Sequence, residues 1–201
     1  MWPLVSVFFA LLINTHSQLT NCESLNVDLV IATHPFRSSS DDVDAIKRVL
    51  LEGLPKLFKI SDQNTRLSFG YLPDDKRPVF TQLTGDMPAF EKTLKENFKS
   101  HISTSKLTDF HEKALDVFTG PPTRPRILII IPTYAIVFVR EIEVKPVRDL
   151  IDAGFLIFYV FPFKDPSNKG RFLVELVGGK ESHLFPLPRG FRADFTIELL
   201  E

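Results

Sequence analysis

Disulfides are missing from this sequence as a source of stability. Its 201 residues contain one cysteine, Cys22, so no internal bridge can form and the fold must rest on a hydrophobic core. Cys22 lies just before the first expected strand and is left to pair with another chain or to stay a thiol. No Asn-X-Ser/Thr sequon occurs, which excludes N-glycosylation. There is no excess of either charge: 24 Lys and Arg face 25 Asp and Glu, a net charge of −1. Long-range attraction to nucleic acid or anionic lipid is therefore not expected, and no basic stripe is visible. Trp and Tyr are scarce, one and three residues against 19 Phe, which reads as aromatic core packing rather than a platform for bases. No apolar run approaches the roughly 20 residues of a membrane span. Leu4–Ile13 is ten residues long and polar Asn14–Gln18 follows it. That pattern predicts a signal peptide over residues 1–17, cut between 17 and 22, with a secreted product that has no span after cleavage.

What is present is alternation of two patterns. Val27–Thr33, Ile127–Ile131 and Phe155–Phe161 are solid apolar runs rich in β-branched and aromatic residues, as expected of strands buried on both faces. Between them, Val43, Ile46, Val49, Leu50, Leu54 and Leu57 recur at helical spacing. They predict a helix over about 41–58, kinked at Gly53–Pro55. Thr65–Leu72 and Val79–Leu83 read as a hairpin, with Pro78 placing the second strand at an edge. Asp86 and Pro88 open a helix at about 89–98, and Asp109-x-x-Glu112 has the form of a capping box for a helix to about Phe118. Further helices are expected at about 145–153, 168–177 and 191–200, and a last short strand at about 183–187. No repeat, low-complexity tract or linker interrupts residues 26–201, so one domain is expected there. Its class is α/β: a Rossmann-like three-layer sandwich, with a mostly parallel six-stranded sheet, one antiparallel edge strand and helices on both faces.

In its element order, and in the segments Asp28–Thr33, Phe58–Tyr71, Lys113–Val117, Ile127–Ile131, Asp152–Val160 and Glu181–Leu187, the chain resembles the von Willebrand factor type A (VWA) family. The resemblance implies a metal-ion-dependent adhesion site at the C-terminal edge of the sheet. In the family that site draws on an Asp-x-Ser-x-Ser loop after the first strand, a Thr from a second loop and an Asp after the fourth strand. Here those positions fall on His34, Phe36 and Ser38, on or beside Asp109 with Thr108 adjacent, and on Thr133. Magnesium needs oxygen ligands, typically with one or two carboxylates. No acidic residue occurs between Asp28 and Asp41, or between Asp116 and Glu141, so no small slip of register supplies one. The expectation is a degenerate site with no metal and no cofactor. The alternative is a shifted site from Ser38, Ser40, Asp41 and Asp109; against it, Ser39 or Ser40 reads as a helix cap, and Asp41 and Asp42 as complements to the helix dipole.

Other chemistry finds little support. His34, Asp109 and Ser38 lack an oxyanion hole or a Gly-x-Ser-x-Gly elbow. His101, His111 and His183 lack metal-ligand spacing, and no glycine follows the first strand to cradle phosphate. The expectation is therefore not an enzyme. The predicted C-terminal edge carries His34, Phe36, Arg37, Thr133, Tyr134 and Phe163, with Pro35, Pro132, Phe161 and Pro162 among them. Aromatic residues and arginine are enriched at binding hot spots, although the same phenylalanines also suit inward packing under neighbouring loops. The leading expectation is a secreted binding module for an extracellular protein or matrix ligand. The alternative is a structural component of a matrix or coat, linked through Cys22.

Overall fold

The computed structural model describes residues 25–34, 40–73, 77–99, 107–118, 123–132, 144–161 and 171–186. Strand β1 (Asp28–His34) opens the fold. Leu29 and Ile31 face one side of it, Val30 and Ala32 the other, and all four are shut off from solvent.

Helix α1 (Ser40–Arg48) runs into a π segment (Val49–Gly53) and then α2 (Leu54–Leu57). The expected kink is thus replaced by a widened turn. Pro55 has no N–H, and in an α-helix its ring crowds the carbonyl four residues back; a wider turn just before it accommodates both effects. The apolar stripe survives, with Val43, Ile46, Leu50, Leu54 and Leu57 all buried.

Strand β2 (Arg66–Tyr71) pairs antiparallel with β3 (Val79–Phe80). The second arm of the hairpin is shorter than its apolar pattern predicts. After Phe80 the Thr81 hydroxyl takes over part of the ladder, accepting from the Phe69 N–H at 2.9 Å. The Ser68 hydroxyl donates to the Thr81 carbonyl at 2.7 Å. A Cβ at Gly70 would lie 2.3 Å from the Phe80 ring, so any side chain there would have to displace that ring.

Helix α3 (Met87–Asn97) is capped by Asp86, whose carboxylate accepts from the Ala89 N–H at 3.2 Å. Helix α4 (Leu107–Ala114) continues into a 3₁₀ turn, Leu115–Val117. Asp109 sits inside the first turn of α4 rather than at the cap, where its charge complements the helix dipole instead. Strand β4 (Arg126–Pro132), helix α5 (Val144–Asp152) and strand β5 (Phe155–Phe161) follow. Gly154 joins the last two at φ 83°, a left-handed conformation that favours glycine. Helix α6 (Arg171–Leu176) ends on Gly178 and Gly179, and strand β6 (Leu184–Pro186) is the last described element. The expected helix over 191–200 lies outside the described residues.

The sheet has six strands in the order β3-β2-β1-β4-β5-β6, parallel throughout except for β3. Helices α1, α2 and α3 cover one face over Leu29, Ile31, Leu67, Phe69, Ile127, Ile129 and Phe158. Helices α4, α5 and α6 cover the other over Val30, Ala32, Leu128, Ile130, Ile157 and Tyr159. Much of the phenylalanine is core. Phe69 meets Phe98 and Phe90 edge-on, at 5.7 and 6.3 Å between centroids. Each such buried ring contributes about 1.5–3 kcal/mol by transfer from water.

Candidate functional site

Because β1, β2, β4, β5 and β6 run parallel, their C-terminal ends share one edge, the position where open α/β sheets bind ligands. The register sets His34 beside Pro132, and Phe161 beside Pro186. Beneath this edge Thr33 is buried, its hydroxyl 3.5 Å from the Gly70 carbonyl. Thr108 is buried at the start of α4. Of the expected binding residues, His34 is placed as the last residue of β1. Phe36, Arg37, Thr133, Tyr134 and Phe163 lie outside the described residues, as do Ser38 and Cys22. Ser40 and Asp41 are the exposed first residues of α1 on one face of the sheet. Asp109 is half-buried in α4 on the other face.

The first-strand carboxylate is at the opposite end. Asp28 begins β1, in register with Arg66 on β2 and Arg126 on β4. Its side chain is 3% exposed and is held by a two-point fork: Arg66 Nε donates to Oδ1 at 2.8 Å and Nη2 to Oδ2 at 2.8 Å. The hydrogen bond to Asp28 raises the Arg66 pKa above its ordinary value, against the opposing effect of burial. Arg124 Nε lies 4.0 Å from the same carboxylate. The Arg124 guanidinium also donates to the carbonyls of Asp62, at 2.7 Å, and Asn64. Arg126 lies over the Phe118 ring, 4.3 Å from its centroid. Sequence reading missed this network. A signal existed in the charged residue opening each of three strands, but only the pairing register brings them together.

Two further polar groups lie deeper. His111 is fully buried in α4, with Nε2 3.3 Å from the Leu176 carbonyl at the end of α6. The Tyr159 hydroxyl is buried with no hydrogen-bond partner among the described residues, and burial pushes its pKa well up. Nearer the surface, His183 stacks on Phe158 at 4.3 Å. Its Nδ1 lies 2.8 Å from the Ile157 carbonyl. Burial lowers its pKa, opposed by that hydrogen bond and aided by the Lys180 charge. Among the described residues, no three His, Cys, Asp or Glu side chains converge as a metal site, and no helix is long and apolar enough to cross a membrane.

No family model and no curated protein matches the chain. Solved structures do. Proximal thread matrix protein 1 (PTMP1) from the mussel byssus aligns at 15% identity with a TM-score of 0.65, over 89% of this chain and 45% of its own. The chain thus spans less than half the length of that protein. Another PTMP1 structure, 13% identical with the same TM-score, has zinc in its MIDAS motif. BatB from Bacteroides thetaiotaomicron aligns at 13% identity and TM-score 0.55, over 86% of this chain and 96% of its own. The SpRpn10 VWA domain aligns at 11% identity and TM-score 0.52, over 86% and 94%. At these identities the likeness is one of fold, and the fold of this chain is VWA-like.

Proposed function

We propose that this chain is a secreted VWA-like binding module that recognises an extracellular protein or matrix ligand through the C-terminal edge of its sheet, without a metal ion and without catalysis. The supporting observation is the placement of Asp28. The last carboxylate before the end of β1 is bound by Arg66 at the other edge, and the next acidic residue in sequence, Asp41, already lies in α1. On this reading the edge is formed by His34 with Phe36, Arg37, Thr133, Tyr134 and Phe163 of the adjoining sequence. Such groups recognise a partner by apolar contact and a few polar anchors rather than by completing a cation's coordination sphere. Secretion rests on the signal-type segment over residues 1–17, cut between 17 and 22.

The test is capture of partners from extracellular material in the presence and absence of EDTA, with Phe36→Ser and Tyr134→Ala as controls. Partners retained in EDTA and lost with both variants are the expected result. Capture that requires a divalent ion, or that survives both substitutions, contradicts the reading. The likeness to a byssal matrix protein favours a second reading, a structural part of a matrix or coat joined through Cys22. Gel filtration separates the two: a reductant-sensitive oligomer supports assembly, and a monomer under both conditions supports a soluble binder.

A further inference from the structure

The N-terminal edge of the sheet carries a cluster of arginines around one carboxylate. A guanidinium has two edges able to hold a planar oxyanion at two points. On Arg66 the Nε/Nη2 edge is filled by Asp28. The other edge, formed by Nη1 and the second Nη2 hydrogen, has no protein partner among the described residues, and the side chain is 29% exposed. Arg124 shares the same carboxylate, with Nε 4.0 Å from Asp28; it is anchored by loop carbonyls and 15% exposed.

Two guanidinium charges therefore face one buried carboxylate. A second anion nearby, Asp62, is exposed; its carboxylate accepts from the Gly85 N–H at 2.8 Å, and its charge also acts on Arg66. Arg66 and Arg124 against Asp28 carry about one unit of positive charge, offset in part by exposed Asp62, and an approaching carboxylate would be attracted to what remains. Both arginines are also fixed from behind, so that little side-chain freedom is left to lose on binding.

We infer that the free edge of Arg66, with Arg124, is a docking point for a carboxylate on an acidic segment of a partner protein. It lies at the end of the sheet opposite the proposed ligand edge and acts independently of it. The two-point contact already made with Asp28 is the geometry a second carboxylate would repeat.

The test follows arginine Nε–Hε resonances of the folded protein by NMR during titration with a hexaglutamate peptide, and separately with a sulfated disaccharide. Hexaglutamate is expected to shift the Arg66 and Arg124 signals saturably. Arg66→Lys, which keeps a cation for Asp28 but removes the free edge, is expected to weaken binding about fivefold or more, as is Arg124→Gln. Lys92→Gln, on the exposed face of α3, is expected to leave binding unchanged. The inference is overturned by unsaturable shifts, by equal binding in Arg66→Lys and the unsubstituted protein, or by tighter binding of the sulfated sugar than of the peptide.

Discussion

The two edges of the sheet are built on opposite principles. At the N-terminal edge three adjacent strands begin with Arg66, Asp28 and Arg126 in register, and the polar groups are locked to one another and to Phe118. At the C-terminal edge the paired strands end on His34, Pro132, Phe161 and Pro186, and none of these is a carboxylate. Among the described residues, charge closes the bottom of the core, and the last paired residues of the strands carry no carboxylate. The difference shows that the core of this VWA-like fold is assembled from the interiors of the strands and not from their ends.

Breaking the N-terminal edge is expected to have the largest effect on stability. Asp28→Ala leaves Arg66 and Arg124 without their buried counter-charge. The loss is expected to be about 2–4 kcal/mol, at the lower side of the range for buried pairs because Arg66 reaches water; urea unfolding measures it. Substitution at the C-terminal edge is expected to do the reverse. Tyr134→Ala should change stability by no more than about 0.5 kcal/mol while abolishing partner capture. A loss of several kcal/mol there would assign the ring to the core instead.

Tyr159 sharpens the comparison from inside, since its buried hydroxyl has no hydrogen-bond partner among the described residues. Removing that hydroxyl in Tyr159→Phe is expected to raise stability by about 1 kcal/mol. The smallest effect belongs to His183. Its folded pKa is depressed below the ordinary 6.5 by burial. The neutral ring therefore contributes stability that is present above the unfolded value and lost as pH falls through the folded one. His183→Gln should flatten this limb of the stability profile, and an unchanged profile would assign the acid sensitivity elsewhere.

Much of the fold was legible because its signals are local. The apolar runs of β1, β4 and β5 and the stripe from Val43 to Leu57 follow directly from strand and helix periodicity. Glycines 154, 178 and 179 mark helix ends through their left-handed backbones. The departures came from interactions that spacing does not carry. Nothing in the sequence says that Thr81 replaces a ladder bond with its hydroxyl, or that Pro55 is absorbed by a π turn rather than a kink. Asp109 and Glu112 have the spacing of a capping box, yet α4 already includes Asp109 in its first turn. The proposed edge was read from missing chemistry, the two stretches without carboxylates, and apart from His34 its residues lie outside the described ones. The Asp28 network was not legible, because residues 28, 66, 124 and 126 meet only through the register of a parallel sheet.

The central claim, a VWA-like edge that works without a metal ion, is tested most directly by calorimetric titration of the folded protein with magnesium, manganese and zinc. The account predicts no saturable heat for any of the three at micromolar concentrations. Stoichiometric micromolar binding that is lost on replacing Asp41 or Asp109 by alanine would contradict it.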